Sequence, residues 1–306
     1  MKKCVVIYNP ESGRKKLFNQ DTINKMQEIL KEHDYESIFY KSRYSGSVTN
    51  IVKKLLDDTD LVISIGGDGT FSESIKGNYK REKKLLLSHI PTGTTNDIGK
   101  MYGYTTDLLT NLSLLLEGEI KEVDVCTLND EPFAYVAGFG KFMNIPYETT
   151  RESKKTLGYL AYIKKGLQEV IQRVKLYELS YETNGEVHSG NYSVMLATNS
   201  TRVAGFKSIY NNIKLNDGKF EVLFCTIKKK KSFLKSLILL KTTDISNLDG
   251  LSYHRTNKLV IHNPRGKTIV WDVDGEKKEI KAKDITIATT KSLFLIPKTN
   301  IDELFD

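Results

Sequence analysis

The chain has 306 residues, enough for about two domains at roughly 150 residues each. Its 39% hydrophobic and 27% charged content is that of an ordinary globular protein and excludes wholesale disorder. The formal net charge of +8 favours a polyanionic partner (nucleotide, nucleic acid or anionic lipid surface) without choosing among them. No run approaches the ~18 apolar residues of a membrane span. Met1-Lys2-Lys3 leads straight into a strand-like segment with no signal-peptide pattern. Cys4, Cys126 and Cys225 are scattered among apolar neighbours and read as reduced core residues of a cytoplasmic protein, not metal ligands.

In chain order, CVVIYN (4–9) reads as a buried strand and residues 17–33 as an amphipathic helix with apolar residues at helical spacing. Strands are expected at 35–42, 61–67 and 84–91, and helices at 47–58, 71–79 and 106–119. Aliphatic strands alternating with helices predict a doubly wound parallel sheet, buried on both faces, over residues 1–122. From about residue 123 the pattern becomes mainly antiparallel β. Turns are expected at Asn129-Asp130, Asn184-Gly185 and Asp217-Gly218. Two helical inserts are expected, at 156–174 and 228–241.

Three strands of the first region end in loops of one chemical kind: Asn9-Pro10-Glu11-Ser12-Gly13, Gly66-Gly67-Asp68-Gly69-Thr70 and Pro91-Thr92-Gly93-Thr94-Thr95-Asn96-Asp97. Each lies between a strand and a helix, so in a parallel sheet all three emerge at the carboxyl edge, where such sheets bind ligands. Glycine lets the backbone approach a ligand closely, and the following helix turns its amides toward the same place. Ser12, Thr70, Thr94 and Thr95 add hydroxyls. The set predicts a phosphate cradle. Asp68 and Asp97 would repel a phosphate unless Mg²⁺ lies between. Neither a P-loop nor the dinucleotide glycine fingerprint is present.

GGDGT (66–70), NPESG (9–13), PTGTTND (91–97) and DVDGE (272–276) resemble the lipid kinases with a diacylglycerol kinase catalytic domain, above all the soluble bacterial diacylglycerol kinases. AYVAGFG (134–140), residues 147–167, ATNSTRVAGF (197–206) and KLNDGKF (214–220) extend the likeness over nearly the whole chain. The resemblance implies an α/β domain over 1–122, rejoined by 292–306, and a β-sandwich over 123–291, with ATP in the cleft between. It implies nucleotide contacts at Asn9, Pro10, Glu11, Ser12, Gly13, Ser42, Gly66, Gly67, Asp68, Gly69, Thr70, Glu73, Thr94 and Asn96. It places a catalytic Mg²⁺ by Asp68, Asn96 and Asp97, and a second, structural one by Asp217 with the carbonyls of Lys214 and Lys219. Of the DGE acids, Asp274 and Glu276, Glu276 is the expected proton acceptor. Two departures stand out: Ser72 occupies the usual Asn position before Glu73, and Asn211-Asn212-Ile213 replaces the family's Pro-x-Ala.

The resemblance implies transfer of the γ-phosphoryl of ATP to diacylglycerol, releasing ADP and phosphatidate. Other acceptors in play are phosphatidylglycerol, a sphingoid base, undecaprenol or NAD; a further class is a nucleotide-binding regulator without turnover. No nucleic-acid recognition pattern supports the charge-based alternative of a nucleic-acid binder. KKKKSFLKSLILLK (228–241), with Lys228 to Lys231 beside Phe233, Leu234, Leu237, Ile238 and Leu240, suits the surface of an anionic membrane. A cytoplasmic, peripherally membrane-associated protein is expected, and a homodimer is one option.

Overall fold

The computed structural model describes residues 1–12, 17–141, 175–203, 206–207, 210, 212–226 and 249–306. The helices expected at 156–174 and 228–241, the membrane-surface segment with them, and Gly13 lie outside the described residues. The chain divides into two compact units, Met1–Val123 with Lys291–Asp306, and Asp124–Thr290. Among the described residues no helix is long and apolar enough to cross a membrane.

The first unit alternates strand and helix: β1 (Lys2–Tyr8), α1 (Gln20–Glu32), β2 (Tyr35–Lys41), α2 (Ser47–Lys54), β3 (Leu61–Gly66), α3 (Asp68–Tyr79), β4 (Leu87–Pro91), α4 (Asp97–Met101) and α5 (Leu108–Leu116). The strands are parallel in the order β2-β1-β3-β4, with Cys4 opposite Leu61 and Val62 opposite Leu87. A fifth parallel strand comes from the carboxyl terminus, Phe294 pairing with Leu87. Every residue of β3 and β4 is buried, which requires cover on both faces. α1 lies against α5, and α2 against α3. At the edge, β2 alternates and leaves Ile38 and Tyr40 exposed. α1 starts at Asn19, whose Oδ1 accepts the Thr22 N–H at 2.8 Å; α5 starts at Asp107, which accepts from Thr110 at 2.7 Å. Caps of this kind stabilise a helix by about 1 kcal/mol each.

The second unit is a sandwich of two antiparallel sheets. One runs in the order 251–256, 220–225, 194–198, 136–140, 269–273, 276–280. The other contains Lys258–His262 between the strand beginning at Asp284 and Tyr177–Thr183, with Glu186–Tyr192 outside. Both sheets contribute to one core that includes Phe139, Tyr181, Phe224, Leu259, Trp271 and Ile287. Within it Tyr181 stacks on Phe224 with centroids 3.8 Å apart. Three tight turns carry two left-handed residues each: Asn129-Asp130, Asn184-Gly185 and Asp274-Gly275. That is the backbone a two-residue hairpin with the sheet's own twist demands.

The hairpin expected at Asp217-Gly218 is not formed. Residues 213–219 are irregular, and a strand begins only at Phe220. The reason is a competing partner. Asp124 donates its N–H to Leu215 O at 2.6 Å and accepts the Gly218 N–H at 2.6 Å, so this segment binds Asp124 rather than a preceding strand. Other boundaries also move: α1 begins at Gln20, α2 ends at Lys54 and β4 begins at Leu87. α3 begins at Asp68, three residues before its expected start, and α4 appears where a loop was read.

Candidate active site

In the first unit the three loops meet. Asn9 N–H donates to Ile65 O (2.9 Å) and Thr92 N–H to Gly66 O (2.7 Å), carrying the ladder just past the strand ends. Thr92 Oγ1 donates to Ser12 Oγ at 3.2 Å. The Gly67 and Gly93 backbones abut so closely that a Cβ on Gly93 would lie 2.6 Å from the Gly67 Cα and 2.8 Å from Asn96 Oδ1. A Cβ on Gly66 would lie 2.3 Å from Thr70 Oγ1. Gly93 is dictated by contact between loops, and Gly66 by the Thr70 side chain of its own loop. Gly69 differs: nothing stands within 4 Å of an added Cβ, and the residue is exposed. Glu11 and Thr94 are also exposed, while Ser12 and Thr70 are buried beneath.

Asp68 and Asp97 are both buried, and Asp68 works as a clasp. Its Oδ2 accepts the Asp97 N–H at 3.0 Å and its Oδ1 the Ile98 N–H at 3.1 Å, tying α3 to the start of α4. A carboxylate at a helix amino end satisfies otherwise orphaned amides and complements the dipole. Asn96, left-handed at φ 52°, donates from Nδ2 to Gly93 O at 2.9 Å. Its Oδ1 is buried with no hydrogen-bond partner among the described residues. An orphaned acceptor of this kind calls for a cation or water. Oxygen donors suit Mg²⁺, which typically takes one or two carboxylates plus phosphate oxygens and water. Asp68, Asn96 and Asp97 therefore fit the ion. Among the described residues there is no group of three or more His, Cys, Asp or Glu side chains that forms a full cage.

Ser42 begins the turn after β2, its N–H donating to Tyr8 O at 2.9 Å. Glu73 sits one turn into α3, with Oε1 accepting from Gly46 N–H (2.8 Å) and Oε2 from Val48 N–H (3.0 Å).

In the second unit the two DGE acids part company. Asp274, left-handed at φ 53° and 7% exposed, accepts three backbone amides: Ala134 at 2.6 Å, Tyr135 at 3.1 Å and Val136 at 3.2 Å. It pins the turn to the strand 136–140. Glu276, on the far side of Gly275, is exposed. Around the expected second metal site, Asp217 is ion-paired with Arg255 and accepts the Lys219 N–H at 2.9 Å. A guanidinium thus already balances the Asp217 charge, and a metal ion bound there would have to displace it.

Sequence reasoning missed three charged groups. Asp124 organises the 213–219 segment, and its signal was an acid between two valines of a buried strand. Glu221 is 2% exposed in FEVLFC, and burial pushes its carboxyl up to about 8. Arg81 is buried beside the last carbonyls of α2.

The diacylglycerol kinase catalytic domain family matches residues 3–128. The chain is 30% identical over 222 residues to a diacylglycerol kinase of Staphylococcus saprophyticus, covering 72% of each. It belongs to the diacylglycerol kinase family. A Bacillus subtilis diacylglycerol kinase aligns over 100% of both chains at 26% identity. A crystal structure of a diacylglycerol kinase from Bacillus anthracis str. Sterne shares the fold, with TM-score 0.76, 20% identity and 98% of each chain covered. As a family member, the protein is a kinase that transfers a phosphoryl group to an alcohol. The matched residues 3–128 include all three rim loops of the first unit.

Proposed function

We propose that this kinase phosphorylates the free hydroxyl of diacylglycerol with ATP, giving phosphatidate and ADP. The observation that carries the reading is the convergence of Asn9–Ser12, Gly66–Thr70 and Thr92–Asn96 on one rim. That rim combines bare backbone at Gly69, hydroxyls, and an orphaned Asn96 oxygen. Phosphoryl transfer is mostly positioning and charge neutralisation. The amides and hydroxyls of these loops bind and orient the triphosphate, with Ser42 on the same rim. Mg²⁺, held through Asp68, Asn96 and Asp97, would supply neutralisation of phosphate charge. In the transfer, the acceptor oxygen bonds to the γ-phosphorus, the bond from that phosphorus to the bridging oxygen breaks, and ADP leaves. The acceptor's proton passes to a carboxylate within hydrogen-bond reach. Glu276 is assigned that role because three amides already engage Asp274. The acceptor class follows from relatives named diacylglycerol kinase. Access to it requires peripheral contact with a membrane.

The test is a screen of purified protein with Mg·ATP radiolabelled at the γ-phosphate against mixed micelles of diacylglycerol, phosphatidylglycerol, sphingosine or undecaprenol, with Glu276→Gln as control. Label in phosphatidate alone is expected. Label in another lipid reassigns the acceptor, and no labelled lipid at all defeats the proposal.

A further inference from the structure

Helix α2 begins without a cap of its own. Its N-cap is Gly46, left-handed at φ 85° and lacking a side chain, so its first amides need acceptors from elsewhere. α3 supplies them. Glu73 takes the Gly46 and Val48 amides, one on each carboxylate oxygen, while Thr49 Oγ1 donates to the Glu73 carbonyl at 2.9 Å. At the other end of α2, Arg81 Nη1 donates to the carbonyls of Val52 (3.1 Å), Lys53 (3.3 Å) and Leu55 (2.7 Å). An anion thus sits at the amino end of α2 and a cation at its carboxyl end, as the helix dipole favours. Between them Gly77 allows contact so close that a Cβ there would lie 2.7 Å from Thr49 O. The two helices are clasped at start, middle and end.

The clasp joins two parts of the rim. α3 starts inside the Gly66–Thr70 loop, and α2 starts from the turn 42–46 that follows β2. That turn is closed by Arg43 N–H to Ser47 Oγ (3.2 Å) and Ser47 N–H to Tyr44 O (3.1 Å). It presents Tyr44 with 66% of its surface exposed. In the order β2-β1-β3 the turn stands two strands from the Gly66–Thr70 loop. Strands are spaced ~4.8 Å apart, so the offset is about 10 Å along the same rim. An aromatic ring held in water beside an anion cradle is the side chain on which a base stacks.

We propose that Glu73 is a positioning residue which fixes the 42–46 turn so that Tyr44 stacks on the base of the nucleotide. This rests on the nucleotide reading of the rim, and it gives Glu73 a role through the turn, without phosphate contact. The experiment titrates Mg·ATP and Mg·tripolyphosphate into wild type, Glu73→Gln and Tyr44→Ala, with a thermal melt of each. Both variants should lose ATP affinity, by roughly 5- to 100-fold for loss of one stacked base. Both should bind tripolyphosphate as wild type does, because the phosphate loops are untouched. If Tyr44→Ala binds ATP normally, the stacking assignment is wrong. Parallel weakening of both ligands in Glu73→Gln marks a merely structural residue and overturns the positioning role. Tyr44 is exposed, so its variant remains informative even where Glu73→Gln does not fold. A wild type that binds neither ligand overturns the nucleotide reading itself, and this inference with it.

Discussion

Each unit buries an aspartate and uses both of its carboxylate oxygens to accept backbone amides. In the first, Asp68 takes those of Asp97 and Ile98; in the second, Asp274 takes those of Ala134, Tyr135 and Val136. What surrounds them differs. A parallel sheet delivers every strand-to-helix loop to the same rim, so Ser12, Gly67, Thr92, Gly93 and Asn96 gather around Asp68 by topology alone. An antiparallel sandwich has no such rim, and its turn at 274–275 carries a single exposed acid, Glu276. In the first unit, therefore, the residues proposed to bind the nucleotide are also structural groups. In the second the two roles are adjacent but separate.

That contrast is sharpest in the DGE turn. Glu276→Gln should lower kcat roughly 10²- to 10⁴-fold, the usual range for a lost general base, and leave the unfolding midpoint unchanged. Asp274→Asn should do the reverse first. It weakens three hydrogen bonds to a charged acceptor in a buried site, at a cost on the order of 3 kcal/mol. Steady-state kinetics and denaturant melts of the pair check both. If Glu276→Gln unfolds the protein while Asp274→Asn does not, the separation argued for the second unit is wrong.

Two glycines test the first unit. Gly66→Ala drives a methyl group into Thr70, which should cost roughly 1–3 kcal/mol of stability as well as nucleotide affinity. Gly69→Ala places its methyl in open space within the first turn of α3. Its stability should hold or rise by up to about 1 kcal/mol, because alanine is the better helix former. ATP affinity should still fall, since that methyl occupies the rim where phosphate arrives. Calorimetric ATP titration alongside thermal melts separates the two outcomes, and an unchanged affinity for Gly69→Ala would remove that residue from the site.

How far these sites were legible in sequence follows the same division. Strand and helix in the first unit announce themselves through β3 and β4, whose aliphatic runs have only one use in an alternating chain. The loops followed from topology. Hairpins at Asn129-Asp130 and Asn184-Gly185 were legible because two-residue turns demand left-handed residues. Asp217-Gly218 has the same chemistry but forms no hairpin, because Asp124, far away in sequence, captures Leu215 and Gly218. The roles of Glu73 and Arg81 were equally hidden: capping a different helix leaves no local pattern. The sequence pattern marks Asp68 as a metal or phosphate residue; its hold on the amides of Asp97 and Ile98 appears only in the fold.

A further pair of predictions sets the units in opposition with pH. In the first, His89 is buried on β4, stacks on Phe71 with centroids 5.0 Å apart, and contacts Ser64 O through Nδ1 at 3.1 Å. Burial lowers its pKa to about 4 from an ordinary 6.5. Between pH 6.5 and 4 the unfolded chain takes up a proton that the folded one refuses. Stability therefore falls as pH falls, by about 3 kcal/mol across the window. In the second unit, Glu221 is raised by burial to about 8 from 4.5. Between pH 4.5 and 8 the folded chain keeps a proton that the unfolded one releases, so stability falls as pH rises. The shift corresponds to roughly 3–5 kcal/mol before Arg255 Nε, 3.7 Å from Oε1, offsets part of it. Trp271 is the single tryptophan and lies fully buried in the second unit, so its fluorescence follows that unit. Denaturant midpoints read from Trp271 should drop from pH 5 to 8 and flatten in Glu221→Gln. Amide exchange in β3 and β4 should instead speed up from pH 6.5 toward 4, after correction for intrinsic rates, and do so less in His89→Gln. A common trend in both probes would mean that the two units unfold as one and that neither buried group governs its own half.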